Sequence, residues 1–256
     1  MSGHVCRFAV DGQMVGSPSP QLGGGLSRIL PLPDGRCVAI HNGKDGVIVL
    51  SADLQQATRL TEAPSAYGGS VTPDGRRLAI AGMSDQRVQV WDLTAEPAKL
   101  HWQLPIRSSF YARGIAISAD GNTVVVGDGD GQVSVFDVPR GVLVRKWQAH
   151  DGVINDLDLA ADGRIATAGL DRTAAVWSAA GKRLAHLRGH TMCVWSARFT
   201  ASGRHLVTAS DDGAAFVWPL DAADVLAMAR RDLRPEARQE ELASRRALVG
   251  DLLDRR

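Results

Sequence analysis

The chain has 256 residues, 45% hydrophobic and 22% charged, and its 29 Lys and Arg against 28 Asp and Glu leave a net charge of +1. Such a composition excludes a largely disordered chain, and the absence of a strong positive field argues against nucleic acid as a partner. Three cysteines, Cys6, Cys37 and Cys193, form no CxxC pair, which excludes a disulfide framework and a cysteine-rich zinc site and suits a reducing compartment. No window approaches the ~18 apolar residues of a membrane span, and Met1 to Pro18 lacks the apolar core of a secretory leader. The expected setting is the cytosol, with no membrane partner.

In chain order, the first element is Gly3-His4-Val5-Cys6-Arg7-Phe8-Ala9-Val10-Asp11-Gly12, which lies in register with Gly131 to Val138. Residues 1–18 are therefore expected to form the third and fourth strands of a partial repeat unit. Full units follow. Turn pairs stand at Asp34-Gly35, Asp74-Gly75, Asp120-Gly121, Asp162-Gly163 and Ser202-Gly203, spaced by 40, 46, 42 and 40 residues. Counted from each Asp or Ser, a large apolar residue comes 15 to 17 positions later: Leu50, Trp91, Phe136, Trp177 and Trp218. Between the two landmarks lie short alternating runs such as Leu78 to Ala81 and Val133 to Phe136, rich in the Val, Ile and aromatic residues that suit strands. About four strands per ~40 to 45 residues, repeated, make the blades of a β-propeller.

The most complete units resemble a known family. His190, the stretch Leu206-Val207-Thr208-Ala209-Ser210-Asp211-Asp212 and the pair Val217-Trp218 look like the WD-repeat (WD40) signature. Gln148-Ala149-His150, Ala166-Thr167-Ala168-Gly169-Leu170-Asp171 and Val176-Trp177 repeat it with Ala in place of Gly, and the one literal Trp-Asp pair is Trp91-Asp92. The other units are degenerate. The unit ending at Trp91 keeps Asp85 without an opening His, the unit ending at Phe136 keeps Asp130 with Val126 where Thr would stand, and the unit ending at Leu50 keeps only Asp45. The resemblance implies an all-β WD40 propeller over residues 1–220, with about five recognisable blades plus the partial N-terminal one. An edge strand left open invites pairing. The favoured expectation is a five- or six-bladed ring closed by the N-terminal strands against the strand ending at Trp218, with an incomplete, capped ring as the alternative.

After Pro219 the character changes. Residues 221–256 hold eight arginines and eight carboxylates, and Val225, Leu226, Ala229 and Leu233 fall at helical spacing. Pro235 should end or kink that helix, and Leu242, Val249 and Leu252 mark a second helical stretch. This region is expected to be a short α-helical tail, similar to segments that follow the last blade in bacterial multidomain WD-repeat proteins.

Two sets of residues mimic catalysis. His150, Thr167, Asp171 and His190, Thr208, Asp212 each combine a hydroxyl, an imidazole and a carboxylate. The resemblance implies instead that these residues join Trp177 and Trp218 in structural hydrogen-bonded tetrads, and the repetition of the set one period later favours that reading. Gly127-Asp128-Gly129-Asp130-Gly131 fits neither a dinucleotide fingerprint nor an EF-hand and reads as a turn. No catalytic, cofactor or metal site is expected. In the first strand of each unit the apolar positions run i, i+3, i+5, for example Ile154, Leu157, Leu159, so an extra residue sits after the first position, as a β-bulge leaves it. The re-aimed residues, Ser27, Tyr67, Arg113, Asn155 and Trp195, together with Tyr111, are the expected partner-binding set at one mouth of the ring, being rich in interface-favoured types. The function expected is a non-enzymatic protein-protein interaction scaffold. One alternative is a regulatory region of a larger bacterial signalling enzyme, a kinase, NTPase or protease. A second is a hydrolase or lyase working in the central channel.

Overall fold

The computed structural model describes residues 4–9, 13–22, 25–43, 45–83, 86–106, 108 and 111–221. These residues form nineteen strands in five antiparallel sheets, each sheet taking its strands in sequence order. The first sheet holds β1 (Leu26–Pro31), β2 (Cys37–His41), β3 (Val47–Leu50) and β4 (Ala57–Leu60). The second holds β5 (Ala66–Val71), β6 (Arg77–Gly82), β7 (Arg87–Asp92) and β8 (Lys99–Pro105). The third holds β9 (Gly114–Ile117), β10 (Thr123–Gly127), β11 (Gln132–Asp137) and β12 (Val142–Gln148). The fourth holds β13 (Ile154–Leu159), β14 (Ile165–Gly169), β15 (Thr173–Trp177) and β16 (Arg183–Arg188). The fifth has three strands, β17 (Val194–Phe199), β18 (His205–Ser210) and β19 (Ala215–Pro219).

The repeat works through one turn used five times. The first and second strands of each sheet are joined at Gly35, Gly75, Gly121, Gly163 and Gly203, all with φ between 66° and 88°, where only glycine sits without strain. The preceding side chain locks the turn: Asp34, Asp74, Asp120 and Asp162 each accept the backbone N–H two residues on at 3.0 Å, and Ser202 does so at 3.4 Å. The large residues Leu50, Trp91, Phe136, Trp177 and Trp218 stand at or next to the ends of the third strands; the last four pack towards the preceding sheet, whereas Leu50 packs with Val5 and Leu22 of the N-terminal segment.

Apolar layers fill the joints between successive sheets. Val38, Ile40, Val47 and Val49 meet Leu78, Ile80 and Trp91 at the first joint, and Val125, Val133 and Val135 meet Ile165, Ala175 and Trp177 at the third. The first strands lie innermost and neighbour one another in order. Arg28 on β1 reaches Asp156 on β13 at 3.4 Å, so the sheets wrap around a common axis, an arrangement consistent with a WD40 propeller.

Three expectations need correction. No helix occurs among the described residues, and the helical tail expected over 221–256 lies beyond them except for Asp221. In place of two N-terminal strands, the described residues show a single bridge, Phe8 to Met14. The segment packs Val5 and Leu22 against Cys37, Ala39, Ile48 and Leu50 of the first sheet, while Phe8, Met14 and Val15 stay exposed, so no second apolar face is buried that would hold a ladder. Finally, among the described residues the N-terminal segment makes no pairing with β19, which pairs only with β18.

Candidate functional site

Four of the five inner strands carry their irregularity near one end. The ladders slip between Leu26 and Arg28, Ala66 and Gly68, Ile154 and Asp156, and Val194 and Ser196, which makes Ser27, Tyr67, Asn155 and Trp195 the extra residues. Arg113 immediately precedes β9. A bulge frees a side chain from the alternation of the strand, and the first, second, fourth and fifth sheets use that freedom at one mouth of the assembly, whereas β9 pairs with β10 without a slip and the bulge expected at Arg113 is not formed.

Tyr67, Trp195 and Tyr111, the sixth candidate, converge on Arg113 at the centre. Its guanidinium carbon lies 5.0 Å from the Tyr67 ring, 5.2 Å from Tyr111 and 5.4 Å from Trp195. The Tyr67 and Tyr111 rings themselves are 4.9 Å apart. Arg113 donates to the Tyr111 hydroxyl at 3.1 Å and to Asn155 Oδ1 at 3.4 Å, while its buried Nε finds no hydrogen-bond partner among the described residues. Gly68 makes room for this group, because a Cβ there would collide with the Arg113 carbonyl oxygen. The remaining two candidates tie sheets together. Ser27 donates to the carbonyls of Ile40 and Ala66, and buried Asn155 donates to Val194 O at 3.0 Å. Trp195 is 44% exposed, a large apolar face presented to solvent beside a cation.

Below the mouth lies an ion cluster that the sequence pattern does not reveal. Asp156 is buried and accepts from Arg198 at 2.7 Å, from Arg28 at 3.4 Å and from Ser196 Oγ at 3.1 Å. Asp158 accepts the backbone N–H of Phe199 at 2.8 Å. Both carboxylates alternate with apolar residues like any polar strand positions, so only their partners on other sheets distinguish them.

The tetrad residues form two parallel chains of bonds. Trp177 Nε1 donates to Thr167 Oγ1 at 3.0 Å, Thr167 and His150 Nε2 are 2.7 Å apart, and His150 Nδ1 faces Asp171 at 3.0 Å. In the fifth sheet the same steps measure 2.9, 2.8 and 2.9 Å through Trp218, Thr208, His190 and Asp212. Trp only donates and a carboxylate only accepts, so with neutral imidazoles every proton has one place: Trp to Thr, Thr to Nε2, Nδ1 to Asp. The histidines and threonines are buried, whereas Asp171 and Asp212 keep partial exposure. Burial pushes the Asp171 carboxyl up, but the hydrogen bond from His150 and the bonds from Thr173 outweigh it and hold the group well below the usual carboxylate range. The Thr191 N–H, joined by Ala214 and His190, brings Asp212 down to about 2.

The other sheets solve the same position differently. Trp91 donates to Gln89 Oε1 at 3.0 Å, a partner on its own strand. Phe136 needs none and packs over Val126. Burial raises the Asp128 carboxyl, against backbone bonds from Gln132 and the nearby Lys146 ammonium at 3.7 Å. A cleft of about 600 Å³ opens elsewhere among the second, third and fourth sheets, with Asp120 and Asp158 as its acidic lining residues, each already bonded to neighbours. Among the described residues no three His, Cys, Asp or Glu converge as a metal-holding set, and no helix is long and apolar enough to cross a membrane.

Comparison with known proteins places these features in context. The family described as WD domain, G-beta repeat matches residues 107–137, 141–178 and 181–219, each match ending one residue past Phe136, Trp177 or Trp218. Protein groucho of Drosophila melanogaster is 26% identical over 189 residues, 57% of this chain and 26% of that protein. Guanine nucleotide-exchange factor SEC12 of Rattus norvegicus is 29% identical over 142 residues, 54% of this chain and 30% of that protein. The chain spans less than a third of the length of either relative. Both are animal proteins, and the bacterial character expected of the tail gains no support from them.

Proposed function

We propose that this chain, which carries WD40 repeats, is a non-enzymatic cytosolic scaffold that docks a protein partner at the mouth formed by Tyr67, Tyr111, Arg113 and Trp195. The supporting observation is the caged guanidinium: Tyr67 on the second sheet, Tyr111 in the stretch before β9 and exposed Trp195 on the fifth sheet surround Arg113. Trp, Tyr and Arg in such a packed, partly desolvated cluster are the residue types that dominate binding energy at interfaces. A partner bringing a carboxylate and an apolar side chain fits both halves of the cluster. The His, Thr and Asp sets are read as structural, since the Thr167 and Thr208 hydroxyls are buried and each already bonded twice, which leaves no nucleophile open to a substrate.

A second reading, a WD40 region serving a longer protein whose chemistry lies elsewhere, is favoured by the two relatives being more than three times as long as the part matched. The larger bacterial signalling enzyme expected from the sequence is one form of it. Both readings are tested by affinity capture from the source with the tagged full chain, followed by Trp195→Ala and Arg113→Ala. Each substitution should weaken capture of the retained protein by about 2 kcal/mol, roughly 30-fold in affinity, with the circular dichroism unchanged. Undiminished capture by both variants overturns the assignment of this surface.

A further inference from the structure

The fifth sheet differs from the others at its outer edge. The outermost strands of the first four sheets all carry cations: Arg59 in β4, Lys99 in β8, Arg145 and Lys146 in β12, Arg183 and Arg188 in β16. Charged side chains on an edge are the usual protection against unwanted pairing. β19, with the sequence Ala-Phe-Val-Trp-Pro, carries no charge, the terminal Pro219 is its one edge-blunting residue, and among the described residues no fourth strand pairs with it. Its composition is that of an interior strand.

The face beside that edge is also uncovered. Val207, Ala209, Ala215 and Val217 are exposed, whereas their counterparts one sheet earlier, Ala166, Ala168, Ala174 and Val176, are buried against the fifth sheet. Val217 is 59% exposed.

The backbone shows what the edge can accept. Leu220 N donates to Arg204 O and Ser210 N to Ala214 O, so in the register of β18 with β19 the residues 214, 216, 218 and 220 bond inward. Ala215, Val217 and Pro219 therefore turn their backbone groups outward. Proline has no N–H, so the edge offers the N–H groups of Ala215 and Val217 and the carbonyls of all three. A strand reversed about Val217 matches this set to itself: Val217 N–H meets Val217 O twice, and Ala215 N–H meets Pro219 O twice. The one donor that proline lacks leaves only the Ala215 carbonyl unmatched. The two Val217 side chains stand opposite each other as a β-branched cross-strand pair, and a net charge of +1 sets up little repulsion between copies.

We infer that β19 is a dimer edge that pairs antiparallel with β19 of a second copy of this chain across a two-fold axis at Val217. The full chain should sediment at twice its 27.3 kDa at micromolar concentration, and Val217→Lys, which places two like charges opposite each other, should return it to the mass of one chain with unchanged circular dichroism and a melting temperature that no longer rises with protein concentration. Register is read by cysteine. In a Cys6→Ser/Cys193→Ser background, Val217→Cys should cross-link two chains with oxidised glutathione, because hydrogen-bonded antiparallel partners sit ~5.5 Å apart at Cα, inside the ~4.4–6.8 Å that a disulfide spans. Ala215→Cys should not, since its two copies lie four residues out of register, over ~10 Å apart. A single-chain mass for the wild type, as when residues 222–256 or another segment cover the edge, overturns the inference. So does a dimer that survives Val217→Lys, or cross-linking equal at both positions. Should Val217→Lys fail to fold, the cysteine pair decides the question alone.

Discussion

The fourth and third sheets put the same backbone positions to opposite uses. In the fourth, Thr167 lies fully buried and spends its hydroxyl on Trp177 and His150, with Asp171 closing the chain. In the third, Val126 takes the place of Thr167 and Phe136 that of Trp177, and neither side chain has a polar atom to satisfy. Both solutions bury the joint. The difference lies in how they fail: an apolar joint loses packing a methyl at a time, whereas a hydrogen-bonded chain loses a partner for every group on either side of the break.

The largest expected effect comes from breaking that chain in its middle. His150→Ala removes a buried ring and strips Thr167 and Asp171 together, so it should cost about 3 kcal/mol and lower the melting temperature by roughly 10 °C. A loss no larger than that of an exposed substitution would place the fourth sheet's stability in its apolar layer alone. Next, Thr167→Val imitates the third sheet in one residue and leaves the Trp177 N–H unpaired, at about 2 kcal/mol. Adding Trp177→Phe removes the orphaned donor, and the double variant should lose less than the sum of the two single ones. Strict additivity in a double-mutant cycle would show that the two residues do not act as a chain.

The smallest effect is a pH dependence. Asp171 and Asp212 are both more acidic in the fold than a free Asp, Asp212 at about 2. Depressed carboxylates contribute stability that is full above the unfolded value near ~3.9 and is lost as pH falls through the folded value. Melting temperature should therefore decline from about pH 4 towards pH 2. An Asp171→Asn/Asp212→Asn variant should start lower at neutral pH and fall less steeply, and identical slopes would count against these two groups.

Much of this contrast is visible in the residues before any coordinates. Asp or Ser before Gly marks each first turn because the side chain and the left-handed glycine make that turn from two adjacent residues. The two tetrads are legible because they repeat one period apart. Gln89 is not, since it satisfies Trp91 from its own strand with no counterpart in any other unit. His41 is equally hidden: it sits fully buried at the end of β2 with neither ring nitrogen bonded among the described residues, where other units place residues such as Gly82 and Gly169. The N-terminal segment misleads because its alternation matches a third strand, yet a strand needs a neighbour to pair with. For the mouth, the bulge shift points to the right backbone positions, but which side chains meet depends on sheets far apart in sequence. Ser27 and Asn155 spend themselves between sheets, while Tyr111, outside the repeat pattern, completes the cage around Arg113.

The Arg28 to Asp156 pair has a consequence for the order in which the molecule assembles. Bonds between neighbouring sheets join residues about one repeat apart, as Asn155 and Val194 do over 39 positions, and such local joints let adjacent units zip in succession. Arg28 and Asp156 are 128 positions apart and belong to the first and fourth sheets. Closing so long a loop from the unfolded chain carries more entropy than any neighbouring joint, and the intervening sheets remove that cost by bringing the two ends together as they form. The pair is thus a late clasp: it forms once the curvature of three successive joints is right, and it then holds that curvature against relaxation.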